Sequence, residues 1–279
     1  TVGQRERKTQ DRIVKLFKDK DKLDYTYLGN WEERANNSNI EEELLVKFLT
    51  KQKYSETLIK KALYELNKIA TVQNKSLYDA NKEVYSLLRY GAKVKEEVGS
   101  NKETVYFIDW KKPKNNDFYF AEEVTVKGQN NKRPDIVLYI NGIAIGVLEL
   151  KRSTISVSEG IRQNLDNQKK IFIEHFFSTI QLVMAGNDTE GLRYATIKTD
   201  EKYYLNWNEE SNVRNKLDRQ LLQLCNKERI LEMVHDFIVY DAGTKKICRH
   251  NQYFGVKASQ AYLKKREGGI IWHTQGSGK

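Results

Sequence analysis

The stretch RPDIVLYINGIAIGVLELK, residues 133–151, decides the fold. Val, Ile, Leu and Tyr dominate 135–140 and 143–150, residues that suit a pleated, buried surface, and Asn141-Gly142 between the two runs is a strong short-range signal for a tight hairpin turn. Each strand carries charge at its far end: Asp135, after Pro134, on the first, and Glu149 with Lys151 on the second. Side chains alternate along a strand, so Glu149 and Lys151 share one face while Leu150 takes the other. Two carboxylates at the end of paired strands make a hard, oxygen-rich set suited to Mg²⁺, and the Leu150 carbonyl is a further candidate ligand. A cation held there binds a phosphate and lowers the pKa of its water, with Lys151 orienting that water or stabilising charge on phosphorus. The competing reading is a surface ion pair between Glu149 and Lys151, which contributes little. It sits badly at the end of an apolar strand, where charge is costly.

Parity tests this reading. With a strict two-residue turn, Ile140 opposes Ile143 and Asp135 opposes Leu148, and the two carboxylates fall on opposite faces. A shared site therefore needs one extra residue between Ile136 and Leu148, as an odd loop or a β-bulge, and Gly146 is the expected place.

Upstream, apolar residues recur at helical spacing over 6–17, 40–49, 56–69 and 77–89, the last stopped by Gly91, so the first ninety residues read as helical. Strands are expected at 105–110 and 118–126. Downstream come a helix over 157–177, strands at 180–185 and 193–199, and helices over 213–227 and 230–237. The fold class is α/β: a mixed sheet flanked by helices, with an N-terminal helical region.

The 279 residues carry a formal charge of +10, which favours polyanionic partners such as nucleic acid. No apolar run is long enough for a membrane span, and the charged N-terminus excludes a secretory signal. Cys225 and Cys248 are too few for a disulfide framework, so a cytoplasmic location is expected. The four histidines show no metal-ligand spacing. Lys127, Lys132 and Arg133 either meet DNA phosphates or form a solvated basic loop. Trp110, Tyr119 and Tyr139 read as core.

With these residues in hand, the chain resembles the PD-(D/E)xK nucleases, and more widely the motor-nuclease subunit of type I restriction-modification enzymes. The similar stretches are 5–17, 81–91, 108–110, 116–118, 133–151, 163–167, 181–187 and 249–256. The resemblance implies a restriction-endonuclease-like core in which Asp135 and Glu149 hold metal and, with Lys151, cut DNA. It also implies a Gln-x-x-x-Tyr pair on the next helix; Gln163 matches, while Asn167 stands in place of the tyrosine. An upstream glutamate often completes such sites, with Glu83 the first candidate and Glu6 the second.

The end of the chain has a different character. The run 269–272 reads as an apolar strand entering Thr274-Gln275-Gly276-Ser277-Gly278-Lys279, a glycine-rich loop whose N–H groups and Lys279 would cradle phosphates. Position 273 is His where the phosphate-loop motif has its first glycine. Gln252, within 249–253, resembles the adenine-reading glutamine of superfamily-two helicases. The expected division is an endonuclease domain at 1–205, a helical connector at 206–245, and the start of a RecA-like helicase lobe at 246–279.

The resemblance implies a Mg²⁺-dependent endonuclease acting on unmodified duplex DNA, coupled to ATP-driven translocation. A modification methyltransferase and a specificity subunit would be its partners, with S-adenosylmethionine bound through them. The alternatives are a noncatalytic DNA-binding module feeding a helicase, and a RecB-like repair nuclease.

Overall fold

The structure, a computed structural model, describes residues 2–274 and 276. In chain order it contains α1 (Val2–Lys18), β1 (Thr26–Asn30), α2 (Glu42–Lys51), α3 (Glu56–Ala70) and α4 (Leu77–Tyr90). The hairpin β2 (Ala92–Lys95) and β3 (Lys102–Val105) follows, then β4 (Phe118–Glu122), β5 (Ile136–Ile140), β6 (Ile143–Leu150) and α5 (Val157–Asn167). The rest comprises β7 (Leu182–Asn187), β8 (Gly191–Ala195), α6 (Lys216–Leu224), α7 (Lys227–Asp236), the hairpin β9 (Ile238–Asp241) and β10 (Thr244–Ile247), and α8 (His250–Lys265).

Six strands form one sheet in the order β1-β4-β5-β6-β7-β8. β1 runs parallel to β4 and β6 parallel to β7; the other pairs are antiparallel. At the centre, Asn141 and Gly142 both adopt positive φ (53° and 91°), the backbone that a tight hairpin turn requires. Ile140 pairs with Ile143 and Tyr139 with Ala144, but Leu138 pairs with Gly146, so Ile145 is an extra residue. This is the expected bulge, beside Gly146.

The bulge reverses which face each later residue of β6 joins. Ile143 and Ile145 pack in one core with Phe17, Leu45, Phe48 and Leu221, on the face covered by α1, α2 and α6. Beyond the bulge Leu148 and Leu150 join that same core, while Val147 joins the opposite one with Tyr139, Phe177 and Val183. Glu149, two residues after Val147, therefore faces α5, which crosses β6 and β7 on this second side.

Several expectations are corrected. The first ninety residues include β1, whose short, partly buried run gives little alternation to read. The strand expected at 105–110 does not form: Val105 ends β3, and the following backbone is held by Asn116, whose Oδ1 accepts from Asp109 N (2.9 Å). The helix expected over 157–177 ends at Asn167, where Asn167 O takes the N–H of Ile173 (3.2 Å), and a short 3-10 helix, Glu174–Ser178, follows. The connector at 206–245 holds β9 as well as α6 and α7, and Leu217 and Leu221 of α6 belong to the main core. The apolar run at 269–272 forms no strand; it has no ladder partner among the described residues, and Ile270 and Trp272 are each 89% exposed. From Cys248 to Thr274 the described residues form one helix, α8, and no strand.

Candidate active site

Asp135 stands just before β5, where the chain leaves a short antiparallel contact with the end of β4. Glu123 N donates to Asp135 O (2.9 Å) and Val124 N to Pro134 O (3.0 Å), fixing the aspartate's backbone. Its Oδ2 accepts the N–H of Leu150 (2.6 Å), which ties the start of β5 to the end of β6. A strand residue's own N–H and C=O project to the same side, so the Leu150 carbonyl opens toward Asp135. The bulge thus brings Asp135, Glu149 and Lys151 to one place, as the sequence reading required.

Helix α5 supplies the other wall. Gln163 Nε2 donates to Glu149 Oε2 (2.7 Å), and its Oε1 accepts from Lys151 Nζ (2.6 Å). One amide therefore bridges the acid and the base, and neither end of it can be exchanged without losing a bond. One turn on, Asn167 Nδ2 donates to Glu149 Oε1 (3.2 Å). The helix comes this close because Gly160 has no side chain. A Cβ there would lie 3.1 Å from Ala185 Cβ and 3.5 Å from Lys151 Cγ.

Glu149 is completely buried, and its carboxyl is pushed well above the usual range, first by burial and then by the charge of Asp135; Lys151 acts in the opposite direction. The two carboxyl groups share a hydrogen bond. Such a pair lacks enough positive charge to hold both acids ionised, which is the electrostatic demand a divalent cation meets. Among the described residues, no group of three or more His, Cys, Asp or Glu side chains is arranged to hold a metal. A cation here would take Asp135, Glu149 and the Leu150 carbonyl, and water for the rest. The donor chemistry fits Mg²⁺, which commonly keeps several waters.

The structure brings in residues the sequence reading passed over. Glu123, left-handed at φ 52°, places its carboxylate against Gln10 Nε2 (2.8 Å) and Arg133 Nε (2.8 Å), and its charge bears on both Asp135 and Glu149. Burial, ahead of the Asp135 charge, raises its own carboxyl. The available signal was positional: Glu122-Glu123 closes the strand that runs antiparallel to β5. Glu83, the first candidate for the extra acid, is corrected: it lies on the solvent side of α4 in an ion pair with Lys75 (2.6 Å), and none of its described contacts reaches Asp135 or Glu149. The Glu6 side chain lies outside the described residues.

Of the basic loop, Arg133 is engaged by Glu123 and Glu32, and Lys132 lies over the Phe172 ring (4.0 Å). Tyr119 and Tyr139 are core residues, and Trp110 is half-buried with its Nε1 bonded to Leu88 O (2.8 Å). Gln252, read as an adenine reader, accepts the Arg249 N–H (2.8 Å) at the start of α8. Thr274 lies in a stretch without regular structure, and Gly276 adopts φ 78°. Gln275, Ser277, Gly278 and Lys279 lie outside the described residues.

A mixed sheet carrying two carboxylates, a lysine and a bridging glutamine defines an α/β protein with an acid–base cluster at the end of a bulged hairpin. Residues 3–202 match the type I restriction enzyme R protein N-terminus family, and the chain belongs to that family. It is 32% identical over 63% of its length to a protein of Methanocaldococcus jannaschii carrying the name of the MjaVIIIP type I restriction enzyme endonuclease subunit. A second protein of that organism, carrying the name of the MjaVIIP endonuclease subunit, is 30% identical over 69% of the chain. The HindI type I restriction enzyme endonuclease subunit of Haemophilus influenzae is 27% identical over 71% of the chain. The matched regions cover 18%, 20% and 21% of those three relatives, so the chain spans about a fifth of their length.

Proposed function

We propose that this chain is the DNA-cutting region of a type I restriction enzyme's motor-nuclease subunit, hydrolysing phosphodiester bonds of unmodified duplex DNA. The observation that carries the proposal is the convergence of Asp135, Glu149 and Lys151 through the Ile145 bulge, with Gln163 bonded to both Glu149 and Lys151. Asp135, Glu149 and the Leu150 carbonyl would hold Mg²⁺, which would supply Lewis acidity to the phosphate and lower the pKa of water. Asp135 fixes the end of β6 by accepting the Leu150 N–H. Gln163 holds the Lys151 ammonium in place, so the lysine meets the charge developing on phosphorus without first reorganising. Burial excludes bulk water around Glu149, which strengthens each of these interactions.

In the complete subunit we expect ATP-driven translocation to precede cutting. Gln252, Thr274, Gly276, Ser277, Gly278 and Lys279 would contribute to the nucleotide site. A modification methyltransferase, binding S-adenosylmethionine, and a specificity subunit would be its partners in the cytoplasm. Among the described residues no helix is long and apolar enough to cross a membrane.

The test is Asp135→Ala in the complete subunit assembled with those partners. Cleavage is expected to fall by at least ~100-fold while DNA binding and translocation persist. Unchanged cleavage removes the catalytic assignment and leaves a DNA-binding module.

A further inference from the structure

The connection between β4 and β5 leaves the sheet just ahead of Asp135 and folds back on itself. Val126 N donates to Lys132 O (2.8 Å) and Lys132 N to Val126 O (3.2 Å), closing a turn in which Gly128 N donates to Asn131 Oδ1 (3.2 Å). Val124 and Val126 root this turn in the same core as Val147, on the α5 side of the sheet. Its tip lies on the turn that follows α5. Asn130 donates twice to Ile171 O, from N and from Nδ2 (3.0 Å each), and Lys132 Nζ sits over the Phe172 ring (4.0 Å). The approach is so close that a Cβ at Gly128 would fall on the Phe172 carbonyl.

Charge on these two turns is one-sided. Residues 124–134 contain Lys127, Lys132 and Arg133 and no acid. Glu123 and Glu32 engage Arg133, and Asp166 engages Lys169 of the second turn. Lys127 and Lys170 are exposed, and the Lys132 ammonium rests on an aromatic ring, a contact that fixes its position without cancelling its charge. Lys132 precedes Asp135 by three residues, which keeps their Cα atoms within ~11 Å of each other. A duplex with one phosphate at Asp135 and Glu149 would therefore carry neighbouring phosphates past this rim. We propose that the turns 126–132 and 169–172 form a basic rim that grips backbone phosphates of duplex DNA beside the bond to be cut, through Lys127, Lys132 and Lys170. The proposal rests on the nuclease reading above. Tying the turns together fixes the cations before DNA arrives, so less freedom is lost on binding. Phosphate contacts position a duplex without reading its sequence, which suits a cutting region whose target is chosen by another subunit.

The experiment replaces the three lysines together (Lys127→Ala, Lys132→Ala and Lys170→Ala) in the complete subunit. Binding to duplex DNA is measured in EDTA over a salt series, and cleavage by the assembled enzyme is measured alongside. Each lysine that neutralises a phosphate contributes about 0.9 to the slope of log affinity against log salt, so the expected slope is shallower by about 2–3. Binding weakens at moderate salt, and cleavage shows a raised KM with an unchanged kcat and recovers at low salt. The matching Lys→Arg variant keeps the charges and retains the parent slope. A slope within about 0.5 of the parent's overturns the assignment. Equal loss of binding in the Lys→Arg variant also overturns it, since the lysines would then be structural. So does an alanine variant that binds DNA as the parent does but no longer assembles with its partner subunits, because the rim would then face protein. Asp135→Ala separates the two readings. If that variant still cuts, the nuclease reading is lost; if it is inactive and the alanine variant keeps the parent slope, only the rim is lost.

Discussion

A carboxyl group enclosed by apolar strands and set beside a second acid holds its proton more tightly than a free one, and at Glu149 this has a measurable cost. Its folded pKa lies well above the usual 4.5, so between those values the folded state binds more protons than the unfolded one, and stability falls as pH rises through that window. Glu149→Gln removes the titration while keeping a group that can bond to Asp135. We predict that the metal-free variant melts above the parent at neutral pH, and that the gain vanishes below about pH 4. Thermal melts across pH check this, and an equal or lower melting point at neutral pH contradicts it. At this scale Asp135, Glu149, Lys151 and Gln163 were legible because charge interrupts an apolar pattern or matches a spaced motif. Glu123 and Gln10 were harder to read. Gln10 bonds to Glu123 from α1, and nothing in its own neighbourhood distinguishes it from a solvated side chain, while the one signal for Glu123 is its place at the end of the strand beside β5.

Among the elements, α5 carries the site most directly, because Gly160 sets how near Gln163 comes to the strand ends. In Gly160→Ala the new methyl would press on Ala185 Cβ at 3.1 Å, in the centre of the sheet. Helix propensity gains up to about 1 kcal/mol, and overpacking costs about 1–3 kcal/mol. We expect a melting temperature near or below the parent's and cleavage reduced at least several-fold through displacement of Gln163; unchanged cleavage would falsify the close-approach argument. The bulge in β6 was legible, since two acids cannot share a site in a regular hairpin. The hairpin Ile238–Ile247 was not, although Ala242 and Gly243 turn it with positive φ. Its strands are four residues each, too short to show alternation beside a preceding helix.

Across the whole molecule, the two faces of the sheet have separate duties: one holds the large helical core, and the other holds the acids under α5. Lys245 joins distant parts of this assembly. It is 2% exposed, with Nζ bonded to Asn81 Oδ1 (2.8 Å) of α4 and Gln181 Oε1 (2.6 Å) just before β7, and no carboxylate is among its described partners. Burial depresses its pKa well below the usual 10.5. Below 10.5 the unfolded chain binds this proton and the folded one does not, so stability rises with pH between the depressed value and 10.5. Lys245→Met should flatten that rise relative to the parent in denaturant titrations over the alkaline range; an unchanged pH slope would show that the lysine stays charged. The α/β class and the order of the main sheet elements were legible from pattern. How the last hairpin anchors to α4 was not, because it depends on a lone buried amine contacting residues far away in sequence.

The single surplus residue at Ile145 makes this hairpin behave like a reading frame. Substitutions along it change packing, but a one-residue insertion or deletion between the two acids would send one of them to the far side of the sheet. A gain or loss of one residue here would therefore part the two acids, whereas a change of two would return them to the same face.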